Sequence, residues 1–202
     1  MRIDHVIYAT ADLVVATSVV EAALGVPVQA GGRHEGQGTH NRIVPLGGGY
    51  LELLAIADRD EAAGSQFGAL VLERTATVGE GLIAWAVSVD DVTPVANRLH
   101  TDVFTVSRDG LTAQVTGVLE ALRDPLLPFF VAREDGIPDP GASGSAGGIE
   151  WLELAGDPAR LRDWLGGDDV PGVTVLDGPS ALRAVRVAGR ELRTIGARTG
   201  PD

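Results

Sequence analysis

No cysteine and no lysine occur in this chain. The first absence excludes disulfides, thiolate nucleophiles and cysteine metal sites. The second excludes Schiff-base chemistry and P-loop phosphate transfer, since every one of the 16 cationic side chains is an arginine. Any metal must therefore be held by His, Asp, Glu, backbone or water. Long apolar runs are also missing: none approaches the ~18 residues of a membrane span. The opening Met1-Arg2-Ile3-Asp4 reads as the start of a strand instead of a signal peptide, which predicts a cytoplasmic protein without a membrane partner. Positive charge is scarce, with 28 acidic residues giving a formal net charge of -12. Such a balance repels a phosphate backbone, and no arginine-rich tract with interleaved aromatics offsets it, so no nucleic-acid partner is expected. The acidity serves solubility or, on a sharper reading, attracts a cationic ligand.

What is present is the balance of an ordinary globular protein, 45% hydrophobic and 22% charged over 202 residues, enough for one larger domain or two small ones. Two strand-like runs each carry one ionisable group among apolar neighbours. In Ile3-Asp4-His5-Val6-Ile7-Tyr8, alternation places Ile3, His5 and Ile7 on one face; in Tyr50-Leu51-Glu52-Leu53-Leu54 it does the same for Tyr50, Glu52 and Leu54. Burying either group alone is costly, so each needs a metal ion, a ligand or the other as partner. The simplest arrangement is a hydrogen-bonded pair in a polar cup.

A strand-like run followed by an acidic residue at a helix start recurs three times: Ile3 to Tyr8 before Asp12, Leu82 to Val89 before Asp91, and Ile149 to Leu154 before Asp157. Asp suits a helix start because its carboxylate accepts orphan amide hydrogens. Helical spacing follows each time: Leu13, Ala16, Val20 and Leu24; Val92, Val95 and Leu99; Leu161 with Trp164 and Leu165. Gly25 and Gly166 are placed to end the first and third helices. Glycine-punctuated extended stretches then complete βαβββ units, clear in the first and third cases and less so between Asp102 and Pro128. Ala62 to Thr77 reads as a helical connector. The predicted organisation is one domain over 1–135, built from units 1–57 and 80–135; a Pro-, Gly- and Ser-rich linker over 136–148; and a third βαβββ-like unit over 149–196, followed by a frayed tail.

The opening Ile3-Asp4-His5-Val6 with Asp12-Leu13, Gly31-Gly32-Arg33-His34 leading to Gly38-Thr39-His40-Asn41, Tyr50-Leu51-Glu52-Leu53, Gly81-Leu82 with Trp85 and Asp91, and Pro128-Phe129-Phe130 together resemble the vicinal oxygen chelate superfamily, within it the glyoxalase-like domain proteins. The resemblance implies an α+β fold in which paired βαβββ units form a curved mixed sheet around a cup. That cup holds a divalent metal (Zn, Mn, Ni or Fe) and a small substrate. His5 and Glu52 match a first-unit ligand pair. The second unit departs from the pattern: aligning Asp91 with Asp12 puts Ala84, flanked by Trp85, in the His5 position, and Phe129-Phe130 near the Glu52 position. Aligning Asp157 with Asp12 offers Glu150 as a third metal donor, if the third unit pairs with the first.

Around this core, His34, Asn41, Arg42, Trp85, Phe130 and Arg133 are the candidate substrate-binding residues, the two arginines for a substrate carboxylate and the two aromatics as an apolar wall. Glu52, if not a metal ligand, is the candidate general base. The implied activity is that of a metal-assisted lyase, isomerase or oxygenase acting on neighbouring oxygens. The alternatives are a non-catalytic module that sequesters a small, perhaps cationic, compound, and a structural or regulatory protein without ligand. Pairing of units between copies would give a homodimer.

Overall fold

The three openings are strand-helix units. The structure, a computed structural model describing residues 1–108, 111–134, 136–137 and 139–194, begins with β1 (Arg2–Ala9) and α1 (Leu13–Leu24). Asp12 caps α1 by accepting hydrogen bonds from Val14 N at 2.7 Å and Val15 N at 3.2 Å, satisfying donors that a helix start leaves open. Leu13, Ala16, Val20 and Leu24 form its buried stripe. Gly25 ends it at φ 70°, a left-handed conformation that glycine adopts without strain. Three strands complete the unit: β2 (Gln29–His34), β3 (Thr39–Pro45) and β4 (Tyr50–Ile56).

The connector is two helices, α2 (Arg59–Ala63) and α3 (Gln66–Val78). The second unit contains β5 (Gly81–Ser88), α4 (Thr93–Leu99), β6 (Val103–Arg108), β7 (Leu111–Thr116), α5 (Val118–Arg123) and β8 (Phe129–Arg133). These two units share one eight-stranded mixed sheet in the order β2-β3-β4-β1-β5-β8-β7-β6, curled into a half-barrel. The order reads the same from either edge: β1 is parallel to β4, β5 is parallel to β8, and the antiparallel β1–β5 pair joins the units within one chain.

The third unit has the expected element order, β9 (Trp151–Ala155), α6 (Pro158–Trp164), β10 (Val173–Leu176), β11 (Ala181–Val187) and β12 (Arg190–Arg193). Its strands form a separate four-stranded sheet with a different order, β10-β9-β11-β12. It therefore does not pair with the first unit. Instead, Leu152, Leu154, Leu182, Val185 and Val187 join Val6, Tyr8, Trp85 and Phe130 in one core on the convex side of the large sheet. Residues 195–196 of the third unit, and the tail, lie outside the described residues.

The segment proposed as linker is docked on the glycine turn that follows β3. Gly47 N donates to Gly141 O at 2.7 Å, and Gly148 N donates to Leu46 O at 2.9 Å. Ile137 and Pro140 reach the wall of the cup. No helix among the described residues is long and apolar enough to cross a membrane.

Candidate functional site

The concave face of the half-barrel encloses a cavity of about 660 Å³. One local irregularity decides its chemistry. In the β1–β5 ladder Ile3 pairs with Val87 and His5 with Ala86, so β1 carries one residue more than its partner. Such a bulge redirects side chains. Ile3, expected beside His5, turns instead to the convex core with Val6 and Tyr8, and Asp4 joins the His5 network.

Asp4 is fully buried and accepts two hydrogen bonds from Arg133, one of them from Nη2 to Oδ1 at 2.9 Å. Its Oδ1 also lies 2.7 Å from His5 Nδ1. Burial alone would raise the Asp4 carboxyl, but the hydrogen bonds and charges of Arg133 and His5 outweigh burial and hold it well below the usual carboxylate range. An ionised Asp4 can only accept, so His5 Nδ1 carries a proton, and in the neutral imidazole it is Nε2 that bears the lone pair on the side facing Glu52. The ring is clamped in place: it stacks on Tyr50 at 4.4 Å between centroids, and Phe129 meets it edge-on at 5.1 Å. Burial, with Glu52 and Asp4 nearby, pushes the Tyr50 hydroxyl well above its ordinary value, which keeps it protonated.

Glu52 faces His5 across the cavity floor, its Oε2 lying 3.9 Å from His5 Nε2. The other oxygen accepts from Asn41 Nδ2 at 2.6 Å. Asn41 is held in turn by Gly32 N, which donates to its Oδ1 at 2.9 Å. Gly31 allows this approach, because a Cβ there would lie 2.2 Å from both Asn41 O and Asn41 Oδ1. The same amide nitrogen lies 3.2 Å from His34 Nε2, and His34 Nδ1 lies 2.8 Å from Thr39 Oγ1. His34 thus presents Nε2 as acceptor and Nδ1–H as donor, completing a part-buried chain from Thr39 to Glu52.

The structure brings His5, His34, Asn41, Glu52 and Arg133 to this cavity. Four other expected site residues lie elsewhere. Trp85 stands opposite Val6, and Phe130 lies beside Val87. Neighbouring partners in a ladder share a face, so both aromatics point into the convex core, where Trp85 Nε1 donates to Leu126 O at 3.2 Å. Phe129 takes the wall position instead. Arg42, beside Leu53, also points to the convex side and donates to Thr17 Oγ1 at 2.8 Å. Glu150 belongs to the third unit, outside the cavity, and its carboxylate accepts from Gly189 N at 3.0 Å.

The loss of Glu150 decides how a divalent ion would fit. His5 Nε2 and Glu52 Oε2 are two donors, and across from them the second unit offers Ala86, Phe129 and Val131, none of which binds metal. Among the described residues no group of three or more His, Asp or Glu side chains is arranged to hold an ion. Resident catalytic ions usually have three protein ligands, so this donor set does not fit one. Titration with zinc, manganese, nickel or ferrous iron is expected to give no saturable binding at about 10 μM ion, and stoichiometric binding at that level would overturn this assignment.

Residues 3–166 match the family described as a glyoxalase-like domain. The chain belongs to that family, within the vicinal oxygen chelate superfamily. This glyoxalase-like domain protein superposes on a hypothetical protein from Staphylococcus aureus with a TM-score of 0.69 and 15% identity, covering 91% of this chain and 89% of that one. It also superposes on methylmalonyl-CoA epimerase from Streptomyces coelicolor in complex with 2-nitronate-propionyl-CoA, with a TM-score of 0.50, 22% identity, and 68% and 96% of the two chains covered. At such identities both likenesses establish the fold alone. A comparison with curated proteins found no match.

Two residues of the site, Asp4 and Phe129, escaped the sequence reading. Asp4 carried a signal, since strict alternation would have aimed an ionisable side chain into the convex core. Phe129 carried none, because an apolar residue next to Phe130 looks the same on either face.

Proposed function

We propose that the cavity is the active site of a proton-transferring isomerase or lyase acting on a small molecule with two neighbouring oxygens. One observation carries this reading: two acceptors, His5 Nε2 and Glu52 Oε2, lie 3.9 Å apart and open onto the same largely apolar cavity. Acceptors so placed receive a hydrogen-bearing group between them, such as the hydroxyl of a 2-hydroxy carbonyl compound.

In the isomerase form, Glu52 Oε2 removes the proton from the carbon bearing the hydroxyl, the C–H electron pair becomes a carbon–carbon double bond to the neighbouring carbonyl carbon, and the C=O π pair moves onto the carbonyl oxygen. His5 Nε2 accepts the hydroxyl proton and returns one to the other oxygen, the transient imidazolium being stabilised by Asp4. Glu52 then protonates the adjacent carbon, so no proton is gained or lost overall. Asn41 and Asp4 position the two reacting groups, and the apolar wall keeps competing water away.

Proton exchange into 2-hydroxy ketones and aldehydes in deuterated water, followed by NMR, tests the assignment. Glu52→Gln is expected to slow exchange by about 10²- to 10⁴-fold, the range of general acid–base catalysis, and His5→Ala by a comparable factor. Exchange unchanged in Glu52→Gln would remove it as the base. Binding without any exchange in the wild type would make this a sequestering module, the reading that the acidity of the chain also suits.

A further inference from the structure

The duplication that builds the cavity leaves its two halves chemically unlike. The first unit supplies the polar groups on one side, His5, His34, Asn41 and Glu52. The facing wall comes from β6, β7, α5 and β8, and there Phe104, Val106, Val115, Leu119, Phe129 and Val131 dominate. His5 and Phe129, in edge-on contact, mark the boundary between them. Toward the open edge of the sheet, Phe104 and Val106 remain 41% and 48% exposed, although both line the cavity. Large apolar side chains left half-open along a cavity wall gain from being covered by an apolar ligand.

The charge of the lining is equally one-sided. Among its described residues the one arginine is Arg133, and both of its terminal nitrogens are committed to Asp4. Glu52 on the floor and Glu35 at the rim face the same space without a comparable cation. An anionic head would meet the carboxylates of Glu52 and Glu35, while among the described residues the one guanidinium of the lining is already neutralised by its pairing with Asp4.

We infer that this cavity selects amphipathic ligands: an uncharged head bearing a hydroxyl and a carbonyl sits against His5 and Glu52, an alkyl or aromatic tail runs along the second unit to Phe104 and Val106, and carboxylate or phosphate heads are rejected. This deepens the proposed function and rests on its placement of the reacting head.

Calorimetric titration of the full chain above neutral pH tests it, with straight-chain 2-hydroxy ketones of increasing length against 2-hydroxy carboxylates of the same lengths. The ketones are expected to bind about fourfold tighter per added methylene until the tail groove is filled. The carboxylates are expected to bind at least about tenfold weaker at every length, the effect of a modest charge repulsion. Phe104→Ala, at a half-exposed position that does not threaten folding, should flatten the length dependence, and Glu52→Gln should narrow the gap between ketone and carboxylate. A flat series, carboxylates that bind as well as ketones, or no ketone binding at any length would each overturn the inference. The proton-exchange assay fails separately: the length series can hold in a protein that performs no exchange, which would sink the enzymatic reading and leave this selectivity in place.

Discussion

Asp4→Asn is expected to lower the stability of the fold by about 3 kcal/mol, the cost typical of breaking a buried ion pair by removing one partner. For a chain of this size that corresponds to a fall in Tm of roughly 6–12 °C. The reason is local. Asn offers one acceptor where Asp4 offers two, and its amide NH2 would face donors on Arg133 or on His5 Nδ1. Arg133, mostly buried, would keep a charge without a matching anion.

The same pair makes stability depend on acid. Because the folded Asp4 carboxyl is held below its ordinary value, its contribution is complete above about pH 4, where the unfolded chain's carboxyl is ionised, and is lost as pH falls further toward the folded value. Thermal melts of wild type and Asp4→Asn should therefore differ most near neutral pH and converge in acid. Parallel curves over the whole range would show that the pair contributes nothing to the fold.

That Asp4 had to be found in the structure shows where sequence patterning stops. Helix stripes were legible because α1 buries one face and exposes the other: Leu13, Ala16, Val20 and Leu24 alternate with exposed Val14, Val15 and Val19. The polar members of the site were legible for the same reason, His5 and Glu52 standing out in apolar strands. Side-chain parity in β5 and β8 was not. Leu82 to Val87 and Phe129 to Val131 are buried on both faces, so nothing in the residue types distinguishes the cup side from the core side. A slip of one residue moved Trp85 and Phe130 from the cup to the core. The bulge at Ile3-Asp4-His5 is a further shift of one, invisible to a strict period of two. In the third unit, element order was legible and strand order was not, because the same βαβββ sequence of elements is compatible with more than one pairing order.

Gly141→Ala is expected to cost about 2–4 kcal/mol, although it adds a single methyl group on a connecting segment. A Cβ at Gly141 would lie 1.9 Å from Gly49 O, a backbone atom that cannot rotate away. Relief requires the segment to lift, which strains the hydrogen bonds Gly47 N to Gly141 O and Gly148 N to Leu46 O. The consequence reaches the site through two routes. Gly49 itself packs so closely on β1 that a Cβ there would be 2.4 Å from Asp4 O, so movement of the turn disturbs the strand that carries Asp4 and His5. Ile137 and Pro140 would withdraw from the cavity wall. Thermal melts should show the loss, and limited proteolysis should cut within 136–148 faster in Gly141→Ala than in wild type. Ser145→Ala, at an exposed position of the same segment, should change stability by no more than about 0.5 kcal/mol. Equal Tm values and equal cleavage in Gly141→Ala and Ser145→Ala would mean that the segment is a tether, and that the cup keeps its shape without it.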